Sequence, residues 1–142
     1  MEVFVDSSAW FRYVVAGRSE VEERSHQGVK AAVEDFVRGG VRLVTTNLLL
    51  AETHRLLLVR TGGVTARAFL SAFPAPGLEL VWSDEDLERR AVDDWIDPHG
   101  EAGFSLADGV SFAVMQERKI RRALTLDDHF VAAGFEPVVL TR

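Results

Sequence analysis

The chain of 142 residues has no cysteine, which excludes disulfides and thiolate metal sites and suits a reducing compartment. Lysine is nearly missing too. With only Lys30 and Lys119, the 16 basic residues are almost all arginine, and 22 acidic residues outnumber them to leave a net charge of -6. That balance argues against broad nonspecific nucleic-acid binding, which rests on net positive charge, so any contact with RNA or DNA must be local. Two groups could supply it: Arg118, Lys119, Arg121 and Arg122, or Arg55 and Arg60. The alternative for each is solvation of a helix end. No apolar run reaches the roughly 18 residues of a bilayer span. The opening MEVFVDSSAW also lacks a basic segment followed by an apolar one, so a soluble, cytoplasmic protein without membrane contact is expected.

What is present is apolar content of 47%, enough for one packed core in a chain too short for two ordinary domains. A single domain over 1–142 is expected. Short β-prone runs stand at Val3 to Val5, Arg42 to Thr45, Leu78 to Trp82, Ala123 to Thr125 and Pro137 to Leu140. Helical patterns lie between them. Leu48 to Arg60 places Leu49, Leu56 and Val59 on one face, Ser83 opens an acidic first turn, and Ser105 opens a further helix. Strands alternating with helices imply an α/β fold, a parallel sheet covered on both faces. The polar stretch Ala16 to Gly28 reads as a surface loop, Gly39-Gly40 and Gly62-Gly63 as helix ends, and Pro74 to Gly77 as the lead into a strand.

Four carboxylates stand out from this pattern. Asp6 follows the first strand and Asp127 follows the strand in RALTLDDHF, so both fall at the carboxyl edge of a parallel sheet, where open α/β folds bind ligands. Capping of the next helix is the plain alternative. Glu52 shares the stripe of Leu49, Leu56 and Val59, though a Glu at a stripe's margin can snorkel to water. Asp108 falls on the side of its helix that carries Phe104, Ser111, Phe112 and Met115, and Ser105 to Asp108 also matches a capping box. Jointly the four are placed where one sheet edge can gather them. Two bare carboxylates about 4 Å apart repel by roughly 4 kcal/mol at an effective dielectric near 20, so such a cluster needs shared protons or a cation. Oxygen ligands favour Mg²⁺ or Mn²⁺, and His26, His54, His99 and His129 show no zinc spacing; each reads as a surface or capping residue. A carboxylate-held divalent ion acidifies water and offsets charge on a phosphoryl oxygen, which suits phosphodiester hydrolysis.

Four blocks, VFVDSSAW, TTNLLLAETHRLL, SLADGVSFAVMQERKI and ALTLDDHFVAAGF, in this order and spacing, resemble the PIN-domain ribonucleases, and within them the VapC-type toxins of toxin–antitoxin pairs. The resemblance covers essentially the whole chain. It implies a three-layer PIN-like sandwich with four or five parallel strands and a site of Asp6, Glu52, Asp108 and Asp127 holding one or two Mg²⁺ or Mn²⁺ ions. It further implies Ser7, Thr46 and Thr125 as hydroxyls that orient carboxylates or water, with strand-end and cap roles as their alternative. Hydrolysis of RNA would leave a 5′-phosphate and a 3′-hydroxyl. A VapB-like antitoxin is the implied partner, in an apolar groove near the site for which Trp10, Phe11, Leu57 and Leu58 are candidates, with Arg55 or Arg60 meeting an acidic end, and a homodimer is implied as well. Asp97 and Glu101, in the loop-like DPHGEAGFS, depart from the family pattern and read as solvated, though Asp97 could reach a second metal; Asp128 falls where the family varies.

Three rivals are weighed beside this. A Mg²⁺-dependent phosphatase would place a second Asp two residues after its Asp nucleophile, where this chain has Ser8. A receiver-type domain needs a strand-end Lys, and neither lysine is at one. A non-catalytic PIN-fold interaction domain would not require all four acids.

Overall fold

The computed structural model describes residues 1–73 and 75–140, so Pro74 of the expected lead into the third strand lies outside the described residues. Five strands, β1 (Glu2–Val5), β2 (Arg42–Thr46), β3 (Leu78–Val81), β4 (Arg122–Leu124) and β5 (Glu136–Pro137), form one sheet in the order β3-β2-β1-β4-β5. Every pairing is parallel. Side chains alternate across such a sheet. Val3, Val5, Leu43 and Leu124 therefore enter one core layer while Phe4, Val44 and Ala123 enter the other, and helices cover both faces. The α/β expectation of a parallel sheet sandwiched by helices holds.

On the first face lie α1 (Ser7–Val14), α2 (Glu20–Arg38) and α4 (Gly63–Ser71); α3 (Asn47–Thr61) closes the β2 side. The opposite face carries α5 (Glu85–Arg90), its π-helical continuation Ala91–Ile96, α6 (Leu106–Arg118) and the short α7 (His129–Ala132). Gly62 allows the sharp passage from α3 to α4 because its φ of 96° is open only to glycine without strain.

Several boundaries differ from the sequence expectation. Ala16 to Gly28 is largely helix, since Ser19 accepts the Glu22 N–H as N-cap and Glu20, Glu22 and Glu23 fill the first turn, while only the inner face with Gly28, Val29 and Val33 is buried. Polarity there marks a solvated face, not a loop. The helix after β3 is capped by Asp84, one residue beyond Ser83. The last strand is Glu136–Pro137, displaced toward the chain start from Pro137 to Leu140. On α3 the buried residues are Leu49, Thr53 and Leu57, whereas Leu56 and Val59 face solvent. Leucines on nearly every side of that helix left its apolar period ambiguous.

Gly109 lets α6 approach the π-helix closely. A Cβ added there would lie 2.9 Å from Ala91 Cβ and 3.2 Å from Ala91 O. Gly109→Ala should cost about 1–3 kcal/mol by overpacking, and a second change, Ala91→Gly, should recover part of it. Thermal melting of the single and double variants checks this.

Candidate metal centre

The sheet's carboxyl edge is where the site assembles. Asp6 ends β1 and stands at the N-cap of α1, yet its side chain makes no capping hydrogen bond. It is only 3% exposed. Its Oδ2 accepts from Ser8 Oγ at 2.8 Å and from Thr125 Oγ1 at 3.0 Å, and Ser7 Oγ lies 3.5 Å from Oδ1. Burial raises the Asp6 pKa, hydrogen bonds from Ser8, Thr125 and the Ser7 backbone pull against it, and the nearby Asp127 charge adds to the rise. The capping alternative fails for this residue.

Asp108 answers both readings at once. Its Oδ2 accepts the Ser105 N–H at 3.0 Å while Ser105 Oγ accepts the Asp108 N–H at 3.0 Å, a complete capping box, and the same Oδ2 lies 2.8 Å from His129 Nδ1. Asp127 also caps, accepting the His129 N–H at 2.9 Å through Oδ1, while its Oδ2 is 3.7 Å from His129 Nδ1. One potential ligand atom from each of Asp108, Asp127 and His129 lies within 4.8 Å of the other two.

Asp6 and Glu52 join this trio through hydroxyls. Thr125 Oγ1 donates to Asp6 and accepts the Asp127 N–H at 3.0 Å, and Ser7 Oγ donates to Glu52 Oε1. Glu52 reaches Ser7 from the exposed side of α3: it is exposed together with Leu56 and Val59 while Leu49 is buried, so the expected stripe does not face the core. Thr46 Oγ1 accepts the Leu49 N–H at 3.2 Å, the cap role that stood as its alternative. Asp97 and Glu101 are exposed.

Two residues escaped the sequence reading. His129, taken as a surface or capping residue, sits against Asp108 and Asp127; burial works against its charge, but the Asp108 hydrogen bond and the Asp127, Asp108 and Asp6 charges outweigh that, and its pKa is raised. Ser8 bonds Asp6 and accepts the Leu126 N–H at 2.9 Å. A His two positions after a strand-end acid, and a Ser two after another, were the available signals.

The charge balance fits a divalent cation. Among the described residues no Lys or Arg makes a salt bridge to Asp6, Glu52, Asp108 or Asp127, and His129 is the only basic partner recorded. Carboxylate oxygens suit a hard ion. Arg118 pairs with Glu2 and Glu79 at the opposite end of the sheet, and Arg122 lies over the Phe36 ring at 5.5 Å. The basic group around Arg118 is therefore remote from the acids.

Comparison with known proteins gives the family and the fold. The PIN domain family model matches residues 3–136. The 23S rRNA-specific endonuclease VapC20 of Mycobacterium tuberculosis is 32% identical over 136 residues, spanning 96% of this chain and 97% of that protein. A VapC ribonuclease of Archaeoglobus fulgidus is 30% identical over 132 residues, 92% of this chain and 80% of that one. The crystal structure of VapC20, described as a Sarcin-Ricin loop cleaving toxin, matches with a TM-score of 0.81 over 94% of this chain and 95% of that chain. FitAcB from Neisseria gonorrhoeae, 16% identical, shares the fold with a TM-score of 0.65 over 98% and 97%.

Proposed function

This chain belongs to the PIN domain family and is a nuclease of the VapC ribonuclease kind, and we propose that Asp6, Glu52, Asp108 and Asp127 are the carboxylates with which it cuts RNA. The observation that carries the reading is the gathering of the four carboxylates at one sheet edge, with Asp6, Thr125, Asp127, His129 and Asp108 linked by hydrogen bonds, Glu52 accepting from Ser7 Oγ beside Asp6, and no Lys or Arg salt bridge to any of the four among the described residues. Asp6, Asp108 and Asp127 would hold one or two Mg²⁺ or Mn²⁺ ions, with Glu52 at the margin. Such an ion supplies acidified water and charge relief on the phosphoryl oxygens. Ser8 and Thr125 keep the Asp6 oxygens oriented, and the capping box keeps Asp108 oriented. The reading treats 1–142 as one PIN domain.

Labelled RNA incubated with Mn²⁺ or with chelator tests it. Cleavage only with metal supports the reading; hydrolysis of small phosphoesters with RNA left whole would move the chain to the phosphatases.

A toxin role neutralised by a VapB-like antitoxin belongs to the same proposal. An apolar cavity of about 390 Å³ between α1, α2, α4 and β3, lined by Trp10, Tyr13, Val33, Phe69 and Phe73, would take an apolar antitoxin segment. Trp10 is the member of the expected groove that lines this cavity; Leu57 is buried in the core, and Phe11 lies under the guanidinium groups of Arg12 and Arg60. Val37 lines the cavity and is 42% exposed, so Val37→Asp should weaken antitoxin binding about tenfold or more while leaving the fold intact. Unchanged titration by the cognate antitoxin would put the groove elsewhere. A homodimer is also proposed, with the exposed Leu56, Val59 and Val64 as the apolar patch it would cover; light scattering should then return twice 15.8 kDa, and a monomer mass would refute it.

A further inference from the structure

We infer that His129 is a positioning residue that aims Asp108, fixing which carboxylate oxygen is offered to the cation. The inference rests on the metal-centre reading above. His129 Nδ1 lies 2.8 Å from Asp108 Oδ2, and a carboxylate oxygen only accepts, so Nδ1 carries the hydrogen. The Ser105 N–H donates to the same oxygen at 3.0 Å. Two donors converge on Oδ2, and among the described residues no donor is recorded on Oδ1. Oδ1 is thus the oxygen left for a cation, and Asp108 would offer that oxygen alone. Asp127 Oδ2, at 3.7 Å, is beyond hydrogen-bond reach of the same ring nitrogen.

The imidazole is itself held from two sides. Its backbone N–H is anchored on Asp127 Oδ1 at 2.9 Å, and its ring meets Phe104 edge-on at 5.6 Å and 74°. Phe104 is in turn packed edge-on against Phe112 of α6 at 4.9 Å. Asp127 follows β4 and Asp108 stands on α6, so His129 ties together two carboxylates brought in by different elements. Partners that orient ligand side chains in this way change metal affinity by about 10–100-fold when removed.

Mn²⁺ binding to the whole chain, read from the electron paramagnetic resonance signal of free Mn²⁺, tests the role in three variants whose folding is checked by melting. His129→Ala and His129→Gln should bind about tenfold more weakly, whereas His129→Asn, which keeps an N–H donor near the Nδ1 position, should stay within about twofold of the wild type. If Asn fails as badly as Ala, the ring is itself a ligand and the inference is overturned; unchanged binding in Ala overturns it as well. Should the wild type bind no Mn²⁺, the metal-centre reading fails, and a second measurement still decides the geometry. Nitrogen-15 spectra in chelator at alkaline pH should report the His129 ring as the Nδ1–H tautomer, and an Nε2–H ring would contradict it.

Discussion

Asp6→Asn and Asp108→Asn should each lose metal-dependent RNA cleavage by about a thousandfold or more while remaining folded. The magnitude follows from the several kcal/mol of charge stabilisation that a bound divalent ion contributes, at about 1.4 kcal/mol for each tenfold. The fold survives because the amide oxygen can accept what the carboxylate accepts. At position 6 these are the Ser8 and Thr125 hydroxyls, and at position 108 the Ser105 N–H of the capping box. What the substitution removes is the negative charge and one carboxylate oxygen, replaced by an amide NH₂ that cannot bind a cation. Circular dichroism together with cleavage of labelled RNA in Mn²⁺ checks both halves, and full activity in either purified variant would contradict the assignment.

In chelator, the same Asp6→Asn change should raise the melting temperature at neutral pH. Burial raises the Asp6 pKa above its unfolded value, which means that the folded protein holds the proton more tightly than the unfolded chain. The stability contributed by protonated Asp6 is fully present below the unfolded pKa near 3.8 and is lost as pH rises through the elevated folded value. Above that value the wild type carries a buried charge without a cation, and Asn does not. A rise of a few degrees is expected, at roughly 2–4 °C per kcal/mol for a domain of this size, shrinking as pH falls toward the Asp6 range. Mn²⁺ should reverse the order, stabilising the wild type by mass action and the variant far less. A lower melting point for the variant in chelator at neutral pH would count against a buried, uncompensated carboxylate.

Strand ends were the most legible part of the site. A short apolar run followed by an acid, at once for Asp6 and after Thr125 and Leu126 for Asp127, put both at one edge, because parallel strands point the same way and their ends share a side. Asp108 is buried as its helix stripe implied, but the stripe itself is not what the structure shows: Phe104 precedes the helix, and every residue from Asp108 to Met115 is buried. Glu52 was placed by a different route from the one the structure shows, since an α3 with leucine at 48, 49, 50, 56, 57 and 58 carries little information about its inner face. His129 offered only its place two positions after Asp127, because its hydrogen-bond partner Asp108 is 21 positions away and only the fold brings α6 against the turn after β4. Helix α2 was hidden by its own solvated face, although Ser19 and three acids announced its start.

The most direct test is anomalous scattering from crystals grown in Mn²⁺. The account predicts a peak enclosed by Asp6, Asp108 and Asp127, with Asp108 approaching through one oxygen. Those side chains turned apart with no ion among them, or a peak located elsewhere on the molecule, would contradict it.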